Sequence, residues 1–304
     1  MHKKNIITKI FQNYVKDKDI RKFKKSFIYF LLFRIFRKFL NDYIEIKIFN
    51  FKILASNKSN KTSHALLKKC NFDDQHELSI LKKFSNKKKV FLLDCGCNYG
   101  IYSFYVASLS EKNMVLSIEA SLNMLEDFKK NLSLNEFKNI KFKNLAISDK
   151  NNQLVKLNES INDWESSIIH SEFKKKNFST VKTVNINSIL KDFNLDDYTL
   201  FVKLDVEGFE FNAIHGGLNI ISKYHPIIII ELSKYIEKNK DFNFIYLRDF
   251  LKNYDYSIYT TNYKKITYLE VLDLLKDLDV KHKTIGNFYL LKNLSYNEKI
   301  FNNE

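Results

Sequence analysis

The residues best suited to chemistry form one ionisable run at a strand end. Residues 203–210 read KLDVEGFE, and side-chain alternation along a strand would place Lys203, Asp205 and Glu207 on one face. Such groups are costly in an apolar sheet unless they pair or act on a ligand. One interpretation is a stabilising ion pair. The other is a catalytic group in which Asp205 or Glu207 deprotonates an acceptor hydroxyl and Lys203 orients that base. Clustered acids can also hold a divalent cation, but we assign no metal ligands.

A glycine-containing turn follows an earlier apolar strand. Residues 94–100 read DCGCNYG and lie between the strand 90–93 and a helix. Ligands of open α/β sheets bind beyond the carboxyl ends of strands, where Gly96 and Gly100 would let the backbone approach a ligand. The spacing is not G-x-G-x-x-G and no P-loop motif occurs. Neither a dinucleotide pyrophosphate nor a P-loop nucleotide is therefore expected.

The next apolar strand, 114–120, carries an acid near its end. Glu119 can accept two hydrogen bonds from ribose hydroxyls. A glycine turn followed by such an acid, in a strand–helix–strand context, predicts a nucleoside-containing ligand. The competing interpretation is that Asp94 only caps a helix and that Glu119 is a solvated strand end.

Apolar runs alternate with amphipathic segments over most of the chain. Strands are predicted at 90–96, 114–120, 140–148, 199–208 and 226–233, with two final β segments at 256–261 and 287–292. Continuous apolar strands separated by helices predict an α/β protein with a mostly parallel central sheet covered on both faces. The two final segments are expected to pair antiparallel at one edge.

The positive charge is concentrated at the N-terminus. Residues 1–61 hold 16 Lys/Arg and 4 Asp/Glu, a net charge of +12 out of +15 for the chain. Helical spacing over 1–40 and a strand or hairpin over 43–55 predict an N-terminal extension, 1–62, before a domain at 63–304. Its basic helices either face water or contact an anionic membrane peripherally through 1–61, using Phe27, Phe30, Phe33 and Phe36. Nucleic acid is not expected, because no nucleic-acid motif occurs.

Cysteine usage and hydropathy favour a cytoplasmic protein. Cys70, Cys95 and Cys97 are an odd set, two of them within one turn, which does not suggest a disulfide framework. No secretory signal is evident. The most apolar stretch, Phe27–Phe33, is far shorter than the roughly 20 residues needed to span a bilayer.

Taken together, these motifs resemble the FkbM family of S-adenosylmethionine-dependent methyltransferases. The matching pieces are DCGCNYG at 94–100, SIEA at 117–120, NLAISD at 144–149, KLDVEGFE at 203–210, GGLNII at 216–221 and HPIIIIELS at 225–233. The similarity covers about residues 75–292, and the motif at 203–210 is its most specific part. The resemblance implies a Rossmann-like class I methyltransferase fold.

The resemblance also implies site roles and a reaction. By position, Asp94, Gly96, Asn98 and Gly100 surround the methionine part of S-adenosylmethionine, Glu119 takes the ribose, Ala146 to Ser148 flank the adenine, and Asp205 and Glu207 lie near the transferred methyl. The expected reaction is O-methylation of a hydroxyl on a sugar, glycan or glycolipid precursor. The alternatives are a catalytically inactive cofactor-binding or interaction module, which the intact acids disfavour, and a dinucleotide or nucleotide-sugar enzyme, which the missing third glycine disfavours.

Further polar residues are weaker candidates. His215 follows the 203–210 motif and could face the acceptor, while Glu77 lies on a predicted helix capped by Asp73 or Asp74. Trp164, Ser166 and Ser167 lie in a polar insertion that could form an acceptor wall.

Overall fold

An eight-stranded sheet forms the centre of the protein. The computed structural model describes residues 2–15, 18–58, 63–70, 74–159, 177–239, 242–278 and 284–293. Its helices are α1 His2–Val15, α2 Phe27–Phe36, α3 His64–Lys69, α4 Gln75–Ser85, α5 Ile101–Leu109, α6 Leu122–Ser133, α7 Ile186–Leu190, α8 Glu210–His215, α9 Leu218–Tyr224, α10 Phe244–Asn253 and α11 Tyr268–Lys276. Its strands are β1 Tyr43–Ile48, β2 Phe51–Ser56, β3 Lys89–Cys95, β4 Met114–Glu119, β5 Ile140–Asn144, β6 Ala146–Ile147, β7 Leu154–Glu159, β8 Asn177–Val184, β9 Tyr198–Leu204, β10 Ile227–Ser233, β11 Tyr256–Thr260, β12 Lys265–Ile266 and β13 Thr284–Lys292.

The strand order creates a crevice at the centre of the sheet. The order is β12-β11-β13-β10-β9-β3-β4-β5, and the pairs from β10 to β5 are parallel. The chain runs outward from β3 to β5 and then returns to β9 on the other side of β3. Ligands of doubly wound sheets bind where the strand order reverses, at the carboxyl ends of the strands. The topology therefore places the turns after β3 and β9 beside one crevice.

An antiparallel edge completes the sheet. Strand β13 pairs antiparallel with both β10 and β11, and β11 also pairs with the short β12. Buried runs such as VFLLDC in β3 and IIII in β10 have no polar face, as expected for strands covered by helices on both sides. The predicted Rossmann-like α/β fold, with a mostly parallel sheet and an antiparallel edge, is confirmed.

The N-terminal segment packs onto one helix layer of this sheet. Strands β1 and β2 form a hairpin, and the backbone N–H of Leu54 donates to Asn131 Oδ1 on α6 at 2.8 Å. One cluster of buried side chains includes Phe11 of α1, Phe51 of β2 and Phe104 of α5. The described residues among the first 56 thus contribute to the same hydrophobic core as the helices on that face.

The helical spacing predicted over 1–40 is confirmed in the described residues by two α-helices and the 3-10 turns Ile20–Phe23 and Arg37–Phe39. Two other sequence predictions for the elements were wrong in detail. The strand predicted over 140–148 breaks after Asn144, and β6 instead pairs parallel with β8 in a separate three-stranded sheet. Strand β9 ends at Leu204, although the prediction extended it to residue 208. Among the described residues, no helix is both long enough and apolar enough to cross a membrane.

Candidate functional site

A buried ion pair lies at the carboxyl end of β9. The Nζ of Lys203 donates to Oδ2 of Asp205 at 2.8 Å, and the Lys203 side chain is almost fully buried while that of Asp205 is 36% exposed. The Nζ also lies 4.8 Å from the centroid of the Tyr102 ring. Burial by itself would lower the pKa of Lys203, but the carboxylates of Asp205 and Asp94 outweigh burial and raise it. Lys203 is therefore ionised and holds Asp205 at the mouth of the crevice.

Asp205 and Glu207 reach the crevice from a turn, which corrects the expectation that they continue the strand. Glu207 adopts a φ of +52° and Gly208 a φ of +101°. The buried carboxylate of Glu210, at the start of α8, accepts the backbone N–H groups of Val206 at 3.0 Å and of Gly208 at 3.0 Å. These bonds hold the turn in shape, so the alternation rule does not set the direction of its side chains.

The glycine turn after β3 packs directly against the turn after β9. Gly96 adopts a φ of +78°, and a Cβ built there would lie 1.9 Å from the carbonyl oxygen of Asp205. Gly100 adopts a φ of +100°, and its Cβ would lie 2.5 Å from the ring of Phe104. In both cases protein atoms fill the space that the missing Cβ leaves. The two glycines therefore permit close packing of the turn itself.

Glu119 ties the glycine turn to the end of β4. Its Oε2 accepts the backbone N–H of Asn98 at 2.9 Å, and its Oε1 accepts that of Ser121 at 2.8 Å. Asn98 itself adopts a φ of +51°. Burial raises the pKa of Glu119 to about 7. Each carboxylate oxygen has a second lone pair, so the geometry still allows Glu119 to accept hydroxyls of a bound nucleoside.

The residues expected near the adenine lie on the short strand β6 and just after it. Ala146 packs in a small cluster with Leu157, Val181 and Ala120, which is the residue after Glu119. The hydroxyl of Ser148 donates to Oδ1 of Asp149 at 3.0 Å. Ala146 is thus brought close to the Glu119 end of the crevice, whereas the Ser148 side chain is engaged with Asp149.

The crevice carries a surplus of acidic groups, which suits a cationic ligand. The carboxyl groups of Asp74, Asp94, Asp205 and Glu231 interact electrostatically with the ammonium of Lys203, and Glu119 interacts with Asp205. The Oδ2 of Asp94 accepts the hydroxyl of Ser103 at 2.6 Å, but its buried Oδ1 has no hydrogen-bond partner among the described residues. S-adenosylmethionine carries a sulfonium and an ammonium. The residues present therefore fit the cofactor that the resemblance implies.

Sequence reasoning missed a polar contact between α4 and α5. The Oδ2 of Asp74 accepts the hydroxyl of Tyr102 at 3.0 Å, and Asp74 makes no capping hydrogen bond to α4. Burial, together with the neighbouring carboxylate of Glu77, raises the pKa of Asp74 to about 6. Glu77 accepts the side-chain amide of Asn287 on β13 at 2.9 Å. No local motif marks Asp74, because only the packing of α4 over the crevice brings it near Lys203.

Three carboxylates at the crevice could also hold a metal ion. Asp205, Glu207 and Glu231 each offer an oxygen, and these oxygens lie within 4.8 Å of one another. Burial, followed by the charges of Asp205 and Glu207, raises the pKa of Glu231 well above its ordinary value. A cation would also relieve this crowding of like charges, so the assignment of no metal to this site stays a prediction.

The remaining candidates divide into two groups. His215 is exposed, and its ring lies tilted against that of Phe242, with the centroids 4.8 Å apart, and edge-on to that of Tyr246 at 5.9 Å. Trp164, Ser166 and Ser167 lie outside the described residues. Among the described residues, the ring contacts of His215 do not involve the crevice.

Comparison with known proteins identifies the family. Residues 94–258, more than half of the chain, match the family of the methyltransferase FkbM domain. An uncharacterised protein of Methanocaldococcus jannaschii is 29% identical over 188 residues, which are 54% of this chain and 78% of that protein.

Two solved structures show distant likenesses. A methyltransferase FkbM from Methylobacillus flagellatus KT is 18% identical, with a TM-score of 0.41 over 75% of this chain and 53% of that one, so the present chain spans about half its length. TYW2 of P. horikoshii, in a complex with MeSAdo, is 12% identical, with a TM-score of 0.39 over 84% of this chain and 74% of that one. Neither likeness bears on the substrate. The family match, the strand order and the crevice agree: the chain is a member of the FkbM methyltransferase family, with the class I fold and with S-adenosylmethionine as its methyl donor.

Proposed function

We propose that the protein transfers the methyl group to a hydroxyl of a sugar, glycan or glycolipid precursor. The observation that carries the proposal is the partly exposed carboxylate of Asp205, which is held 2.8 Å from the buried ammonium of Lys203 while the Asp205 backbone packs against Gly96. A base fixed in this way can remove the proton of a hydroxyl that lies between it and the cofactor turn.

Asp205 and Lys203 have separate roles in this reaction. S-adenosylmethionine, when bound, would supply an electrophilic methyl group for an oxygen nucleophile, with its thioether as the leaving group. Asp205 binds Lys203 through Oδ2, so we assign Oδ1 as the oxygen that accepts the acceptor's proton. Lys203 fixes the direction of this carboxylate and stays protonated, because the surrounding carboxylates hold its pKa high. Methyl transfer then leaves an ether and a protonated Asp205.

The charge of the crevice supports a neutral acceptor. An anionic acceptor, such as a carboxylate or a phosphate of nucleic acid, would meet the carboxylates of Asp74, Asp205 and Glu207. Like charges at these distances are repulsive. Sugar hydroxyls, in contrast, donate readily to carboxylates. This balance favours a polyhydroxyl acceptor over an acidic one.

We also propose that the protein works in the cytoplasm. Cys70, Cys95 and Cys97 are all buried free thiols, and none is paired in a disulfide. Burial raises the pKa of Cys70 to about 11, so its thiol is protonated and unreactive at neutral pH. Buried, unpaired thiols of this kind suit a reducing compartment.

A transfer assay tests the reaction. The full chain would be incubated with methyl-labelled S-adenosylmethionine and a panel of neutral glycans, acidic glycans and a carboxylic acid of similar size. We expect label in neutral glycan hydroxyls, as an ether stable to mild base. Cofactor binding without label in any acceptor would favour the alternative, an inactive binding module. Label in base-labile esters would overturn the hydroxyl assignment.

A further inference from the structure

The first two helices each present an apolar stripe to solvent. Phe27 is 78% exposed, Ile28 61% and Ile35 52% on α2, while Ile10 is 65% exposed on α1. Of the thirteen large hydrophobic residues exposed in the described chain, seven lie between residues 6 and 39. Single exposed apolar residues are normal on a protein surface, but a concentration of them marks an interaction site.

The stripe on α2 is separate from the face that α2 buries. At about 100° per residue, Phe27, Ile28, Leu31 and Ile35 fall within one arc of the helix. Tyr29 and Phe33 lie on the opposite side and are buried, where their ring centroids are 5.7 Å and 6.1 Å from that of Phe11 on α1. Helix α2 therefore packs on the core through its buried side, and the apolar side chains of the stripe are not part of that contact.

Basic side chains flank this stripe at both ends. The exposed Lys24 and Lys25 lie just before the N-cap of α2, and the exposed Arg34, Arg37 and Lys38 lie at its C-terminal end. The whole segment 1–61 has 16 Lys/Arg against 4 Asp/Glu. Apolar side chains framed by cations are the pattern of helices that lie in a membrane interface and bind anionic headgroups.

We propose that the exposed face of α1, α2 and the 3-10 turn Arg37–Phe39 docks on the surface of an anionic lipid bilayer through Ile6, Ile10, Phe27, Ile28, Leu31, Ile35 and Phe39. The ten residues of α2 span about 15 Å. This is half of the hydrocarbon thickness, which is about 30 Å, so the helix lies in the plane of the interface. A second copy of the chain is disfavoured as the occupant, because it would bring the same positive segment against this one.

Vesicle co-sedimentation of the full chain tests the docking, and it needs neither cofactor nor acceptor. The probes are vesicles of phosphatidylcholine alone and of phosphatidylcholine with phosphatidylglycerol, each at low and high salt. We expect the protein to bind the anionic vesicles at low salt, and to bind them about tenfold more weakly at high salt or without phosphatidylglycerol. Failure of the methyl transfer assay would leave this result unaffected.

Matched variants assign the binding to the proposed face. The double variant F27S/I35S removes apolar contacts, R34Q/R37Q removes two charges, and each should weaken binding about tenfold. The control I245S/L269S removes two residues that are also exposed, 54% and 67%, but lie on α10 and α11. It should bind like the parent protein. Thermal melting should show no loss of stability in any variant, because all the altered side chains are exposed.

Three results would overturn the docking proposal. The first is no binding to anionic vesicles at low salt. The second is an equal loss of binding in I245S/L269S. The third is a dimer of the parent protein in sedimentation velocity that F27S/I35S converts to a monomer, which would make the face an interface between two copies.

Discussion

Gly96 lies so close to Asp205 that a Cβ on Gly96 would be 1.9 Å from the carbonyl oxygen of Asp205. The turn after β3 and the turn after β9 are thus packed backbone against backbone. The backbone N–H of Asp205 also donates to the carbonyl of Cys95 at 3.2 Å. A change in the cofactor turn therefore moves the proposed base, and the two parts of the crevice cannot vary independently.

This contact predicts that Gly96→Ala impairs both binding and turnover. The new Cβ must push the Asp205 backbone away, and the φ of +78° adds strain for any residue with a side chain. We expect the affinity for S-adenosylmethionine to fall by at least about tenfold and the turnover by more, since misplacing a catalytic group is itself costly. Calorimetric titration and the transfer assay measure the two effects.

Gly286→Ala is the matched control for Gly96→Ala. Gly286 has a φ of +121°, but a Cβ there would have no atom within 4 Å. The control therefore carries backbone strain without a collision, and should lower the melting temperature while leaving cofactor affinity unchanged. Equal cofactor affinities in the two variants would show that the contact with Asp205 has no role in binding.

The Asp205→Asn variant tests the proposed base. Asparagine keeps the shape of the side chain but cannot accept the proton of the hydroxyl. We expect turnover to fall by about 10²- to 10⁴-fold, which is the usual contribution of a general base to the rate. Cofactor affinity should stay within a few-fold, because Asp94 and Glu119, and not Asp205, are the acids predicted to hold the cofactor. Single-turnover kinetics and calorimetry separate the two quantities.

Asp249→Asn is the control for the loss of one carboxylate. Asp249 is exposed on α10, where it pairs with Arg248 at 2.9 Å. Its replacement should leave both turnover and affinity unchanged. Full turnover in Asp205→Asn would remove Asp205 from the mechanism and leave the Lys203–Asp205 pair with a structural role.

Much of the sheet could be predicted from the sequence because its signals are local. The apolar run of β10 and the glycine turn after β3 can each be recognised from about ten consecutive residues. The antiparallel edge followed from the two last β segments. The break between Asn144 and Ala146 could not be predicted, since it depends on β6 pairing with β8 about 35 residues later.

The candidate site was predictable only where its residues share a motif. Lys203 and Asp205 are two positions apart, so the sequence alone suggested their pairing. Asp74 reaches the same crevice from a helix more than a hundred residues earlier, and its partner Tyr102 lies on a third element. The alternation rule also could not predict the direction of the Glu207 side chain, because a hydrogen bond to Glu210 holds the chain in a turn at Gly208.

Glu210→Gln should change how stability depends on pH. Burial raises the pKa of Glu210 to about 7, from about 4.5 in the unfolded chain. The folded protein therefore holds more protons than the unfolded chain between these values, and its free energy of unfolding decreases as pH rises from 4.5 to 7. Glutamine does not ionise. We expect the variant to gain roughly 1–3 kcal/mol relative to the parent between pH 5 and pH 8 in urea unfolding.

The exposed Glu111 supplies the control for this pH effect. Glu111→Gln should follow the parent protein at both pH values. If Glu210→Gln did the same, Glu210 would have to be ionised in the folded protein at pH 5. Its two hydrogen bonds from Val206 and Gly208 would then stabilise the charge more strongly than burial opposes it.

Methyl transfer should not require a divalent cation. Lys203 already compensates the charge of Asp205, the proposed base, through their 2.8 Å ion pair, so this carboxylate can accept the proton of the hydroxyl without a cation. We expect the turnover to be unchanged after dialysis against EDTA and after addition of Mg²⁺ or Mn²⁺. If activity were lost in EDTA and restored by Mg²⁺, and if Glu231→Gln prevented the restoration, Asp205, Glu207 and Glu231 would be metal ligands. The acceptor hydroxyl would then be activated by a cation in addition to the carboxylate of Asp205.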